Sequence, residues 1–217
     1  MRADTDIQRD VESELRWAPD VEARDIAVKV NEGVVSLIGY VPTCPDKYRA
    51  EAAAKRVAGV LAVANDIAVR LPSGAFHSDP EIARDAVSAL KCALPLNWQQ
   101  VKPLVHDARV ALEGDLDWHF ERERAEYAVR QVPGVVSVRN SIRLTHRGVR
   151  TDIKEKIEAA FRRSATIDAE RIRVETSGSE VTLRGKVRSW AEREQALQAA
   201  WAAPGVTDVK NELLVRL

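Results

Sequence analysis

Apolar residues recur along the chain with two periods, one helical and one typical of strands. Ile7, Val11 and Leu15 stand four residues apart, which predicts the buried stripe of an amphipathic helix. Through residues 26–30 and 35–41 apolar and polar residues then alternate, which predicts two short strands. Two later segments repeat the helical stripe, with Ile82, Ala86 and Leu90, and with Ile153, Ile157 and Phe161.

The rest of the pattern completes a helix-strand-strand-helix-strand unit. Asn31-Glu32-Gly33 carries turn chemistry between the two strands and predicts a hairpin. A second helical stripe, at Ala50, Ala53 and Val57, leads to a glycine that we expect to close the helix, and residues 63–69 alternate as a third strand. The predicted fold class is therefore α+β, with two helices packed on one face of a three-stranded mixed sheet. We expect Asp4, Asp79 and Thr151 to cap the first helix of each unit, and Pro80 to lie in a first turn.

The unit occurs three times. Shifting the chain by 75 and then by 71 residues superimposes Leu37 on Leu112 and Leu183 without an internal gap. The predicted domains are residues 1–71, 79–146 and 147–217, with a linker at 72–78. The shared glycines and asparagines are Gly39, Gly114 and Gly185; Gly59, Gly134 and Gly205; and Asn65, Asn140 and Asn211.

The outward positions of the three predicted sheets differ in polarity. The first sheet presents Ile38 and Ala68, whereas the third presents Arg184 and other charged side chains. Because apolar side chains gain from leaving water, we expect the outer face of the first sheet to be packed against a neighbouring unit. We expect the third face to remain solvated.

The repeated pattern resembles the BON domain, a module of bacterial osmotic-shock and nodulation proteins. In the third unit the similarity lies in residues 180–187 (Glu-Val-Thr-Leu-Arg-Gly-Lys-Val), in Glu192-Arg193 with Ala196, and in residues 204–213. Residues 33–41 and 59–65 carry it in the first unit, and residues 110–114 and 133–140 in the second. Unit two departs from the pattern at its hairpin, where Asp107-Ala108 replaces the glycine, and unit one has Asp46-Lys47 in place of the Glu-Arg pair.

This resemblance implies a non-enzymatic protein that binds phospholipid or associates with the envelope, in connection with osmotic or other stress. The alternative is a cytoplasmic scaffold whose tandem sheets bind a protein partner. The start of the chain lacks the apolar segment of a secretory signal, which favours a cytoplasmic location. A periplasmic or envelope location is expected instead if the native N-terminus is missing.

Composition and charge narrow the partners. The chain has 33 basic and 33 acidic residues, so no long-range attraction to nucleic acid is expected. Basic and aromatic residues do not interleave and no Gly-x-x-Gly loop is present, which also disfavours RNA. The longest apolar run, residues 57–64, is far shorter than the ~18 residues that a membrane span needs. Cys44 and Cys92 lack metal-ligand spacing, so neither a metal site nor a cofactor is predicted.

Candidate chemistry is sparse. No glycine lies in a phosphate-binding loop, so we interpret Gly39, Gly114 and Gly185 as sites of strand bulging or close packing. We expect the shared asparagines to hold backbone at a bend, and His119 to lie in a solvated loop rather than in a catalytic site. Trp118, Trp190 and Trp201 have two interpretations, as anchors at a lipid interface or as packing residues at helix starts and between units.

One basic cluster remains as a candidate ligand site. The third unit is the only basic one, with fourteen basic and eleven acidic residues between 147 and 217. Its outward sheet positions form a candidate patch for anionic headgroups, made of Arg171, Arg173, Arg184, Lys186, Arg188 and Lys210, with Arg216 beside them. Acids are interleaved among them, and ordinary pairing between strands is the competing interpretation.

Overall fold

The computed structural model describes residues 2–72, 74, 76–145 and 152–215. Its elements follow the predicted order three times. The first repeat contains α1 (Asp4–Trp17), β1 (Ile26–Asn31), β2 (Val34–Val41), α2 (Cys44–Arg56) and β3 (Ala62–Val69). The second contains α3 (Asp79–Ala93), β4 (Val101–His106), β5 (Arg109–Leu116), α4 (His119–Arg130) and β6 (Ser137–Leu144). The third contains α5 (Ile153–Arg163), β7 (Ile172–Ser177), β8 (Glu180–Val187), α6 (Trp190–Trp201) and β9 (Asp208–Val215).

Each repeat has its own three-stranded sheet with the hairpin's second strand in the centre. β1 and β2 are antiparallel, and β2 and β3 are parallel, so the sheet is mixed as predicted. The third sheet has the same pairing. In the second sheet β4 and β5 are antiparallel, and β6 is the other neighbour of β5. A parallel pair needs a crossover, and α2 and α6 provide it in the first and third repeats.

The helices cover only the inner face of each sheet. All nine stripe residues of the first helix of each repeat are buried, from Ile7 in α1 to Phe161 in α5, and of the second stripe Ala50 and Ala53 are buried whereas Val57 is half-buried. They pack on the inward strand residues, of which Val35, Leu37 and their equivalents are fully buried. The four-residue period therefore located the core correctly.

The chain divides into two compact units. The first comprises residues 1–114 and 122–142, and the second comprises residues 115–121 and 143–217. The first unit thus holds repeat one and most of repeat two, whereas the second holds repeat three. The predicted boundaries at 71, 78 and 146 remain predictions.

A contact between helices joins the two repeats inside the first unit. The guanidinium of Arg130 in α4 lies 3.4 Å from the ring centroid of Tyr48 in α2. The Tyr48 hydroxyl is also 3.5 Å from the carbonyl oxygen of Val138, and Glu126 forms an ion pair with Arg130. Burial raises the pKa of Tyr48, and burial likewise raises the pKa of the neighbouring Cys44 thiol to about 11. Both groups are therefore neutral packing residues at ordinary pH.

Three equivalent glycines show why the repeats share their sequence. Gly39, Gly114 and Gly185 have φ angles of 141°, 141° and 142°, a region that side chains rarely adopt. A Cβ on them would lie 1.8, 1.9 and 2.0 Å from the carbonyl oxygen of Asp25, Gln100 and Arg171. The hairpin strands can approach this closely only without a side chain, which confirms the close-packing interpretation.

Two expectations about helix ends need correction. Asp4 and Asp79 are the first residues of their helices rather than caps, and the cap of α3 is Ser78, which forms a capping box with Glu81. The two carboxylates instead accept hydrogen bonds from the hairpin turn of their own repeat. Those of Asp4 come from the backbone N–H groups of Glu32 and Gly33, at 2.7 and 2.9 Å. The predicted cap Thr151 lies outside the described residues.

The glycines that were expected to close the second helices lie a few residues after the helix ends. Gly59, Gly134 and Gly205 have positive φ angles of 95°, 86° and 94°. Helix α2, however, ends at Arg56 with Val57 as its cap, so Gly59 closes the turn that follows the helix and not the helix itself. In that turn the Val60 N–H donates to the Val57 carbonyl at 3.4 Å.

The expectation that the outer face of the first sheet is covered is wrong. Ile38 is 42% exposed and Tyr40 is 45% exposed, and Ala68 on the neighbouring strand is exposed as well. The third sheet's Arg184 is exposed, as expected. Apolar atoms contribute more than half of a folded protein's surface, so an apolar outward position is weak evidence of a covering layer.

Candidate functional site

The six predicted basic residues of the third repeat do not form one uniform patch. Arg173, Arg184, Lys186 and Lys210 project from the outer sheet face and are exposed. Arg171 instead lies in a short 3₁₀ helix, Ala169–Arg171, before β7, and pairs with Asp168 at 3.0 Å. Arg188 follows β8, and its Nε lies 3.6 Å from Glu192. Arg216 lies outside the described residues.

Two of the four outward cations form ion pairs with acidic neighbours. The Arg184 guanidinium donates to Glu212 at 2.7 Å and to Glu175 at 2.9 Å, and it therefore bridges all three strands. Lys210 donates to Glu180 at 3.1 Å. These partners raise the pKa of Arg184 and of Lys210, and the Arg184 side chain lowers the pKa of Glu212. With Asp208 also exposed, the face carries four cations and four acids, and Arg173 and Lys186 are the cations without an ion pair among the described residues.

The shared asparagines tie the third strand of a repeat to its second helix. Asn65 donates to the carbonyl of Lys47 at 3.0 Å and to the Glu51 carboxylate at 3.1 Å, and its own oxygen accepts from the Ile67 N–H at 3.3 Å. Asn140 repeats these contacts with Arg122, Glu126 and Ile142. The two repeats thus confirm the prediction that this side chain holds backbone.

The third repeat keeps only part of this arrangement. Asn211 accepts a hydrogen bond from the Leu213 N–H at 3.1 Å. The equivalent bonds in the other repeats run from the Ile67 and Ile142 N–H groups to Asn65 and Asn140. Leu197 stands where the earlier repeats have Glu51 and Glu126, so the carboxylate partner is lost. In Asn65 and Asn140 both the amide nitrogen and the amide oxygen are engaged within the repeat, which disfavours a ligand-selecting role for these two side chains.

A buried acid at the start of each second helix was missed by the sequence analysis. Asp46, Glu121 and Glu192 are equivalent residues and are 7%, 9% and 4% exposed. The Glu192 carboxylate accepts hydrogen bonds from the backbone N–H groups of Arg188 and Asp168, at 2.7 and 2.9 Å. The Ser189 hydroxyl in turn accepts from the Glu192 N–H at 3.1 Å. Ser189 and Glu192 have the Ser-x-x-Glu spacing of a capping box, which is present in the sequence, and the Glu192 side chain holds backbone at the start of α6.

Aromatic residues lie at the ends of the second helices of repeats two and three. His119 is the first residue of α4, and its ring stacks on Trp201 with centroids 4.1 Å apart and an interplanar angle of 11°. The prediction of a solvated loop for His119 is therefore wrong. Trp201 is only 9% exposed, and Trp190 begins α6 beneath the Arg193 guanidinium, 4.6 Å from its ring centroid. These contacts favour the packing interpretation for Trp190 and Trp201.

Within the described ranges, no three His, Cys, Asp or Glu side chains are arranged to hold a metal ion. No helix of those same ranges is both long and apolar enough to cross a bilayer. The thiol of Cys44 is buried and that of Cys92 is exposed, and neither forms a disulfide. His146, the last histidine, lies outside the described residues.

Comparison with known proteins agrees with the repeated architecture. The BON domain matches residues 3–70, 78–145 and 150–216. The osmotically-inducible protein Y of Escherichia coli (strain K12) is 29% identical over 146 residues, which cover 64% of this chain and 72% of that protein.

Two solved structures also align along the chain. Both are of CdsD, a structural protein of the type III secretion system of Chlamydia trachomatis. One is 15% identical and covers 97% of this chain and 92% of the other, and the second, its C-terminal domain, is 14% identical and covers 100% of each. Both have a TM-score of 0.28. Because the domain matches span nearly the whole sequence, the chain belongs to the BON domain family.

Proposed function

We propose that this chain is a non-catalytic, envelope-associated protein of the osmotic-stress response that binds the surface of anionic phospholipid membranes. The observation that carries the proposal is the open outer face of its sheets. Helices cover only the inner face, and exposed basic side chains such as Arg173 and Lys186 project from the outer one. A basic side chain close to an anionic leaflet contributes about 1 kcal/mol of binding free energy, so a few of them on one face suffice for weak, reversible association.

The link to osmotic stress comes from the similarity to the osmotically-inducible protein Y. The non-catalytic part of the proposal is supported by the conserved geometry of the repeats themselves. The residues that the three copies share include glycines and asparagines, which permit close packing or hold backbone, and buried acids, of which Glu192 accepts two backbone hydrogen bonds. A reaction would need a reactive group and a positioned base, and no shared residue offers that pair.

Vesicle co-sedimentation tests this function. The whole chain is mixed with vesicles of phosphatidylglycerol or of phosphatidylcholine at 50 mM and at 500 mM salt. We expect the chain to sediment with the anionic vesicles at low salt, to remain in solution with the zwitterionic ones, and to be released from the anionic ones at high salt. Absence of binding to anionic vesicles at low salt contradicts the proposal.

A protein-interaction scaffold is the second candidate, and the first sheet favours it. Ile38 and Tyr40 are exposed on β2, where Ile38 lies opposite Asp66 and Tyr40 opposite Ala68 of β3, and Arg70 lies over the Tyr40 ring at 3.7 Å from its centroid. Aromatic and aliphatic side chains on an open sheet face are typical anchors of a protein interface. Retention of one defined protein partner that is lost on Ile38→Lys, together with no vesicle binding, would establish this function instead.

A further inference from the structure

We propose that the membrane-binding surface is the outer sheet face of the second repeat, and that its ligand is the phosphate-bearing headgroup of an anionic phospholipid at a bilayer surface. This inference rests on the proposed function and locates it. The face is built by β4, β5 and β6, and all the residues invoked lie in the first compact unit.

Charge distinguishes this face from that of the third repeat. In the first compact unit its exposed charges are three cations, Lys102, Arg109 and Arg139, against one acid, Glu113. Neither Arg109 nor Arg139 makes an ion pair within the described part of the chain. The face of the third repeat, by comparison, carries as many acids as cations, and its Arg184 is held between Glu175 and Glu212. The net charge of a whole repeat does not show this difference between the two sheet faces, because it sums the charges of the helices and of the sheet.

The two arginines border one groove. A cavity of about 410 Å³ is lined by both guanidinium-bearing residues, by Ser137 and by Leu104. His106 lies directly opposite Arg109 in the strand register, and its side chain is 89% exposed. Guanidinium groups present a planar fork of donors that matches phosphate oxygens, and a serine hydroxyl adds a further donor. The groove thus has several donors and no acid among its lining residues, while at its edge the Asp107 carboxylate lies 3.2 Å from His106 Nδ1.

An apolar residue at the same groove favours a lipid over a free anion. Leu104 is 53% exposed, and its partner across the strands is Ala111. A leucine gains nothing from a small hydrated phosphate, whereas it can bury its side chain among the glycerol and upper acyl groups of a bilayer. Basic side chains that flank an exposed apolar one are the arrangement expected of a surface that lies on an anionic membrane.

Three paired neutralisations of the whole chain test the location. Arg109→Gln with Arg139→Gln changes the proposed face, Arg173→Gln with Lys186→Gln changes the face of the third repeat, and Arg162→Gln with Arg163→Gln changes the end of α5. All six side chains are exposed, so the fold is expected to survive, and far-UV circular dichroism checks that it does. The dissociation constant for phosphatidylglycerol vesicles is measured for each variant.

We expect the first variant to lose about 25-fold in affinity, since each cation near an anionic surface contributes roughly fivefold. The helix variant should change less than twofold. Equal or greater loss in the variant of the third repeat overturns the location but leaves the proposed function intact. Failure of the unmodified chain to bind the vesicles instead overturns the proposed function and the location with it.

Inorganic phosphate distinguishes the source of the headgroup chemistry. At 10 mM phosphate and constant ionic strength, vesicle binding should persist, because the bilayer presents many headgroups and Leu104 adds an apolar contact. Displacement of the vesicles by phosphate would show a site for small anions and would overturn the assignment to a bilayer surface.

Discussion

The close approach at Gly185 makes a sharp prediction about stability. An alanine there would place its Cβ 2.0 Å from the Arg171 carbonyl oxygen, whereas ordinary contacts of this kind lie at 3.4 Å or more. The strands β7 and β8 must therefore separate by about 1.4 Å or the backbone must leave its φ of 142°. A side chain held in such a backbone region costs roughly 1–3 kcal/mol, and each strand hydrogen bond weakened by the separation adds about 1 kcal/mol. We expect Gly185→Ala to lose about 3–5 kcal/mol.

Gly178→Ala, in the turn of the same hairpin, is the matched control. Gly178 has a φ of 62°, but no atom lies within 4 Å of a Cβ built on it. Only the left-handed backbone is then penalised, at roughly 1–2 kcal/mol. Hydrogen exchange of the β7 and β8 amides reports both variants, and it should be at least about fivefold faster in Gly185→Ala than in Gly178→Ala, because the expected losses differ by about 1 kcal/mol or more. Similar exchange in the two variants would refute the explanation based on close approach.

Three further predictions concern single positions. Ala108 has a left-handed φ of 58° where the first repeat has Gly33. Ala108→Gly should therefore stabilise the second repeat by about 0.5–1 kcal/mol, measured as a higher midpoint of urea unfolding. An unchanged or lower midpoint would contradict this prediction. Asn140→Ala removes three hydrogen bonds and should lower the free energy of unfolding in urea by about 2–3 kcal/mol. Asn211→Ala removes the single described hydrogen bond and should lower it by about 1 kcal/mol. Equal losses of stability in the two variants would count against the hydrogen bonds between the asparagine and the helix. A pKa of about 11 leaves the Cys44 thiol almost wholly protonated at pH 8. Iodoacetamide should therefore modify the exposed Cys92 first, and Cys44 only after unfolding or at much higher pH. Comparable modification rates of the two cysteines in the native chain would disprove the burial argument.

The repeated positions explain why so much of the fold was legible in the sequence. Gly39, Gly114 and Gly185 are fixed by a backbone contact inside one hairpin, and a local constraint of this kind leaves the same residue in every copy. The helical stripes were equally clear because each helix buries one face in its own repeat. Asn65 and Asn140 were also assigned correctly, since their partners come from a neighbouring helix of the same repeat.

The failed predictions share a different cause. Whether Ile38 is covered depends on what lies outside its sheet, and alternation within a strand carries no information about that. Asp4 bonds a turn 28 residues away, so its local position before a helix suggested a cap that the fold does not use. The sequence did not predict the basic surface of the second repeat's sheet, because Arg109 and Arg139 lie on different strands and meet at one groove only in the folded structure.

The most direct measurement asks which face of the protein meets the lipid. Leu104→Cys, in a chain with Cys92→Ser, is labelled with an environment-sensitive fluorophore, and a second chain carries the label at Arg162→Cys on α5. Adding phosphatidylglycerol vesicles should shift the emission of the Leu104 label to the blue, and 500 mM salt should reverse the shift, while the α5 label stays unchanged. A shift confined to the α5 label, or no shift at either position, would contradict binding through the sheet.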